Sequence, residues 1–134
     1  MDFAVIRDAV RRCETFAGFD DAQLGFLLMT CQTGGFGAGE VIYEKGAEAR
    51  KSFCLIVSGT VSIVSEAGQV LESSKPGDII GEIATISPQS KRTITVRAGE
   101  PVETLEWDYE TVEKGIPDLL PRLKDLAWKR ATNW

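Results

Sequence analysis

Apolar residues recur along the chain with two different periods, and the change from one to the other divides it into three zones. Residues 3–31 carry a helical pattern, with Phe3, Val5, Ile6, Ala9 and Val10 approximating one face of a first helix. The pattern breaks at Ala17-Gly18-Phe19. It restarts at Asp20, a good N-cap with Gln23 three residues on, which is the capping-box arrangement. Leu24, Phe26, Leu27, Leu28 and Met29 supply a second buried helix, and Phe19 is placed to staple its start.

From residue 32 to about 108 the texture becomes short β-type runs: Val41-Ile42-Tyr43, Phe53-Cys54-Leu55-Ile56-Val57, Val61-Ser62-Ile63-Val64, Val70-Leu71, residues 93–98 and residues 102–107. Turn glycines punctuate them at Gly39, Gly46, Gly59, Gly68, Gly77 and Gly99. Short strands interrupted this regularly predict an antiparallel barrel or jelly roll. Ser58-Gly59-Thr60 and Glu66-Ala67-Gly68-Gln69 are hairpin candidates.

Beyond Trp107 the helical period returns, over residues 109–114 and again over about 117–132. Leu119, Leu123 and Leu126 form one stripe of the last helix, and Leu120, Ala127 and Trp134 form an adjoining one. Pro121 predicts that regular helix starts only there, because a proline beyond the first turn removes a backbone bond. Lys129 and Arg130 at the far end read as compensation of the helix dipole.

Composition narrows the function classes. The 134 residues suit one domain. With 43% hydrophobic and 26% charged residues, the balance is that of a soluble globular chain. Neither a membrane-length apolar run nor a signal-peptide start is present in the sequence, so a cytoplasmic location is expected. A net charge of −5, from 15 basic and 20 acidic residues, gives no general attraction to nucleic acid or to a membrane surface. Cys13, Cys31 and Cys54 fit neither a disulfide framework nor a zinc pattern and read as free thiols, mostly core filler.

The sequence contains 0 histidines. That excludes metal-dependent cupin, zinc hydrolase, Ser-His and Cys-His chemistry as a group. Carboxylate-pair or lysine catalysis stays open in principle, with no residue pattern pointing to it. No catalytic residue, metal or cofactor is expected.

Residues 77–88 are not accounted for by folding alone. Gly81 allows close backbone approach, and residues 83–86 can make one helical turn before Pro88 stops it. A helix start with free N–H groups beside glycine suits an anion. Arg92 then heads a strand in which Ile94, Val96 and Ala98 form the apolar face, and it falls in the same phase. An inward guanidinium needs an anion. Glu82 can serve in a plain salt bridge, or the fork of N–H donors can hold a phosphate bidentately. In the second case Glu82 is free to accept a sugar hydroxyl, and phosphate plus ribose means nucleotide.

On these residues the chain resembles cyclic nucleotide-binding domains of the cAMP-receptor and protein-kinase regulatory-subunit type. Gly81-Glu82-Ile83-Ala84 followed by Arg92-Thr93-Ile94-Thr95-Val96 is similar to their phosphate-binding cassette, here within residues 77–96. Gly39-Glu40-Val41-Ile42 with Gly46, Leu55-Ile56-Val57-Ser58-Gly59-Thr60-Val61, and Gly77-Asp78 are supporting features, and the similarity runs from about Phe16 to the C-terminus. Ala47 departs from the acidic residue common there, and Ile80 from a common phenylalanine. Many bacterial relatives continue into a DNA-binding domain. A chain ending at Trp134 is expected not to be a transcription factor by itself.

The resemblance implies a mainly β fold with flanking helices: a double-stranded β-helix (jelly roll) barrel as one domain, 1–134. Its parts would be N-terminal helices in 1–31, the barrel in 32–108 and C-terminal helices in 109–134. It implies that Glu82 accepts from the ribose 2′-hydroxyl and Arg92 pairs with the exocyclic phosphate oxygens. Backbone N–H groups near Ile83 and Ala84, approached past Gly81, would complete the cradle, while Ile63 and Leu71 pack on base or sugar. Thr93 tilts mildly toward cGMP, and Trp134 or Trp128 is the aromatic lid.

The function expected is therefore a non-enzymatic module for cAMP or cGMP. Ligand neutralises Arg92, orders residues 83–87 and shifts the C-terminal helix, changing the surface offered to an unidentified protein partner or a homodimer. Three readings stand against it: a ligand-free barrel serving as an interaction or dimerisation scaffold, an excised regulatory domain of a channel, kinase or transcription factor, and a cupin-like enzyme, which the lack of imidazole opposes.

Overall fold

A computed structural model of the chain describes residues 1–44, 46, 51–65, 67–86 and 94–133, without the side chains of Ala84 and Asn133. The expectations for Ala47, Arg92, Thr93 and Trp134 lie outside the described residues.

Helix α1 spans Phe3–Arg12 and starts under Asp2, whose side chain accepts from the Ala4 amide. After a 3-10 turn at Glu14–Phe16, helix α2 spans Asp21–Thr30. It opens in the expected capping box: Gln23 N donates to Asp20 Oδ1 at 2.8 Å, and Asp20 N donates to Gln23 Oε1 at 2.9 Å. Among the described residues, eight strands follow: β1 Gln32–Phe36, β2 Val41–Tyr43, β3 Ser52–Ser58, β4 Val61–Val64, β5 Val70–Ser74, β6 Ile79–Ile80, β7 Thr95–Ala98 and β8 Val102–Asp108. Helices α3 (Tyr109–Gly115) and α4 (Leu119–Asn133) end the chain.

The strands form two antiparallel four-stranded sheets, ordered β1-β8-β3-β6 and β2-β7-β4-β5. The expectation of a mainly β fold with flanking helices holds, and the described strands make two separate sheets. Consecutive strands β3 and β4 belong to different sheets, so Ser58-Gly59-Thr60 is a crossing and not a hairpin. Gly59 has φ 84°, and a Cβ there would collide with the Pro101 carbonyl and Val102, so the crossing tolerates only glycine. The β4–β5 connection is a true hairpin, closed by Ser65 N donating to Gln69 O and Gly68 N to Ser65 O.

Alternation along β3 sorts the core into two layers. Phe53 and Leu55, with Val57 alongside, pack against the helices together with Leu27, Leu105, Trp107, Val112 and Leu123. Cys54 and Ile56 face the other way, into an inter-sheet layer with Val61, Ile63, Ile80, Val96, Ala98 and Val102. Ile94 packs on that same layer, so the parity expected for positions 94, 96 and 98 holds. Cys13 and Cys54 are buried and Cys31 half-buried; burial pushes the Cys13 and Cys31 thiols up, which makes them poor nucleophiles.

Helix α4 begins at Leu119, before Pro121. The proline therefore lies in the first turn, where its missing N–H would have no intrahelical acceptor, and costs nothing there. Leu119, Leu123 and Ala127 are fully buried along one stripe. At the start of α4, Arg122 Nη1 donates to Thr15 O at 2.9 Å and Ala17 O at 2.7 Å, and its guanidinium lies 4.2 Å over the Phe19 ring. Among the described residues, no helix is long and apolar enough to cross a membrane.

Candidate functional site: a buried acidic turn under the last helix

The site begins where β6 ends. Gly81 has φ 91° and ψ −4°, the left-handed region that L side chains avoid. A Cβ there would lie 3.0 Å from Tyr43 Oη, 3.2 Å from the Ser52 carbonyl and 3.2 Å from Phe53 Cα. Its own carbonyl accepts from Tyr109 Oη at 2.5 Å. Tyr109 in turn stacks on Phe53 at 5.9 Å, and Phe53 on Trp107 at 5.5 Å, so the turn is tied to the aromatic centre of the helix-facing core.

From Gly81 the backbone enters a 3-10 turn, Glu82–Thr85, closed by Thr85 Oγ1 donating to Glu82 O at 2.6 Å and Ile86 N to Ile83 O at 3.1 Å. Glu82 is 1% exposed. Its partner comes from the far end of the chain: Arg130 Nη1 on α4 donates to Glu82 Oε1 at 2.6 Å and to Ile79 O at 2.5 Å, while Arg130 Nε lies 3.2 Å from Glu72 Oε2 on β5. Glu82 Oε2 is buried and has no hydrogen-bond partner among the described residues.

Burial pushes the Glu82 carboxyl above its ordinary range, and the charge and hydrogen bond of Arg130 offset this only in part. A buried acceptor with one oxygen satisfied and one open can accept a hydrogen bond from a hydroxyl. Leaving it open costs free energy that such a donor would recover.

Of the residues predicted from sequence, Gly81, Glu82 and Ile83 lie together in the turn, with Ile83 8% exposed, and the Ala84 backbone continues it. Ile63 is buried in the inter-sheet layer and Leu71 packs on that layer. In the β4–β5 register Ile63 faces Glu72 and Val64 faces Val70, so Leu71 occupies a bulge. Trp128 is 60% exposed.

Arg130 and Glu72 were missed by sequence reading. Arg130 is 9% exposed, and its charge is spent on Glu82 and Glu72, which corrects the dipole-compensation reading for this residue. A signal was present: Leu119, Leu123, Ala127 and Arg130 follow one another at helical spacing, so the arginine extends the buried stripe.

Residues 35–116 match the family described as cyclic nucleotide-binding domain. The chain belongs to that family. The match covers β2 to β8, the last two residues of β1 and the Gly81-Glu82 turn.

Many solved structures share the fold, among them the two that follow. cAMP-bound PfPKA-R superposes with a TM-score of 0.86 at 15% identity, over 98% of this chain and 45% of that one. The regulatory subunit of a cAMP-independent protein kinase A from Trypanosoma brucei superposes with a TM-score of 0.79 at 18% identity, over 93% of this chain and 49% of that one. A curated relative from Cupriavidus necator, named succinate–CoA ligase [ADP-forming] subunit beta, is 33% identical over 97 residues, covering 71% of this chain and 24% of the relative. The chain thus spans less than half the length of each of these three proteins.

Proposed function

We propose that this cyclic nucleotide-binding domain is a regulatory module for a cyclic mononucleotide, cAMP or cGMP, whose occupancy is read by α4 through Glu82 and Arg130. One observation carries the reading: Glu82 divides its carboxylate, with Oε1 held by Arg130 and Oε2 buried without a partner among the described residues. A ribose 2′-hydroxyl donating to Oε2 completes the group without displacing Arg130. Such a donor favours the ionised carboxylate. The ionised form holds the guanidinium more strongly. Ligand therefore tightens α4 on the turn, and by linkage a docked α4 raises ligand affinity to the same extent.

In this reading Arg92 pairs with the exocyclic phosphate oxygens, and the backbone of Ile83 and Ala84 beyond Gly81 completes the cradle. Ile63 and Leu71 wall the base or sugar. Thr93 supplies the mild tilt toward cGMP, and Trp128 or Trp134 closes over the base when α4 shifts. The strand order of the two sheets supports a jelly roll, with residues 1–134 as one domain. The module is cytoplasmic and not an enzyme, and it signals to a protein partner or a second copy by the position of α4.

Thermal melting tests this. A ligand at about 100 times its Kd adds roughly 2.7 kcal/mol to a domain that binds it only when folded, which is a measurable rise in Tm. Arg92→Ala should abolish the rise.

The Glu82–Arg130 pair also favours a second reading, in which the protein's own cation serves the carboxylate for good and the domain is a ligand-free scaffold. A Tm unmoved by either nucleotide would support it.

A further inference from the structure

We infer that Glu72 is the positioning residue that sets how far α4 docks before any ligand arrives. This rests on the reading above, in which α4 reports occupancy. The guanidinium of Arg130 is fixed from two sides: Nη1 serves Glu82 Oε1 and the Ile79 carbonyl, and Nε faces Glu72 Oε2 at 3.2 Å. Glu72 stands opposite Ile63 in the β4–β5 register, and Ser74 Oγ donates to the same Oε2 at 3.5 Å. Its side chain is 32% exposed against 2% for Glu82.

The two carboxylates therefore do different work. Glu82 loses most of its hydration when charged, so its hold on Arg130 is costly until a donor reaches Oε2. Glu72 keeps contact with water and holds Arg130 without that cost. A planar guanidinium anchored at one nitrogen can pivot, whereas anchoring Nε as well fixes its plane. Glu72 is thus the contact that keeps α4 in place when Glu82 is poorly satisfied.

Amide hydrogen exchange of α4 in Glu72→Gln tests the inference. In ligand-free protein, exchange over Leu119–Asn133 should rise roughly five-fold, and saturating cAMP should bring it back toward the wild-type value. Glu72→Asp should restore most of the protection, and Glu72→Gln should add nothing in an Arg130→Met background, an outcome that a general loosening of β5 would not give. Unchanged α4 exchange in ligand-free Glu72→Gln would overturn the role of Glu72. Loosened α4 that cAMP does not tighten, in wild type or variant, would keep that role and remove the ligand reading instead.

Discussion

Arg122 and Arg130 stand on the same helix about 12 Å apart, and each donates to backbone carbonyls of a different element. Arg122 ties the start of α4 to the 3-10 turn after α1, and Arg130 ties its end to β6 and the Glu82 turn. Helix α4 is held as a bar between the N-terminal helices and the acidic turn.

Replacing Arg130 by methionine strands the Glu82 charge. Removing one partner of a buried pair costs about 3–5 kcal/mol. Urea unfolding at neutral pH should show a loss of that order, shrinking in acid as the carboxyl takes up a proton. The same variant should bind cAMP more weakly.

The raised Glu82 pKa fixes the sign of a pH effect. A carboxyl that holds its proton more tightly in the folded state than at its ordinary 4.5 contributes stability that is fully present below that value. The contribution is lost as pH rises through the folded pKa. Glu82→Gln removes this titration, so its stability relative to wild type should improve steadily from about pH 4 upward until Glu82 is fully ionised. A difference that stays flat with pH would contradict the raised value.

Gly81→Ala should destabilise the domain by more than the about 1–2 kcal/mol of a left-handed alanine. The added Cβ also meets Tyr43 Oη, the Ser52 carbonyl and Phe53 Cα. Tyr43→Phe in the same chain should recover only part of the loss, because the two backbone contacts remain. Denaturant midpoints decide it.

Arg122→Met removes two carbonyl hydrogen bonds and the contact over Phe19. A hydrogen bond to a charged group contributes about 1.5–3 kcal/mol. The loss should add to that of Arg130→Met within about 0.5 kcal/mol, because the two arginines share no partner. A clear departure from additivity would mean that the two ends of α4 are energetically coupled.

Much of this architecture is legible in the sequence because it is local. The Asp20–Gln23 box, the apolar face of β7 and the glycine at position 81 each follow from neighbours a few residues away. What stayed hidden depends on distant partners. Strand β1, with Gly34 and Gly35 and mostly exposed, has no alternation of its own and exists because β8 pairs with it. Strand β6 is two residues long, below any periodic signal. Gly59 reads as a hairpin turn, but the strands it joins, β3 and β4, pair with distant strands in different sheets, so the chain crosses between sheets there. Arg130 looks like an ordinary basic helix end because Glu82 is 48 positions earlier in the chain.

The most direct measurement is a calorimetric titration of the purified chain with cAMP and with its 2′-deoxy counterpart. A saturable one-to-one heat with cAMP, weakened about ten-fold or more without the 2′-hydroxyl, is the expected result, since a lost hydrogen bond to a charged group is worth about 1.5–3 kcal/mol. No heat at millimolar cAMP, or equal affinity for the two nucleotides, would contradict the role given to Glu82.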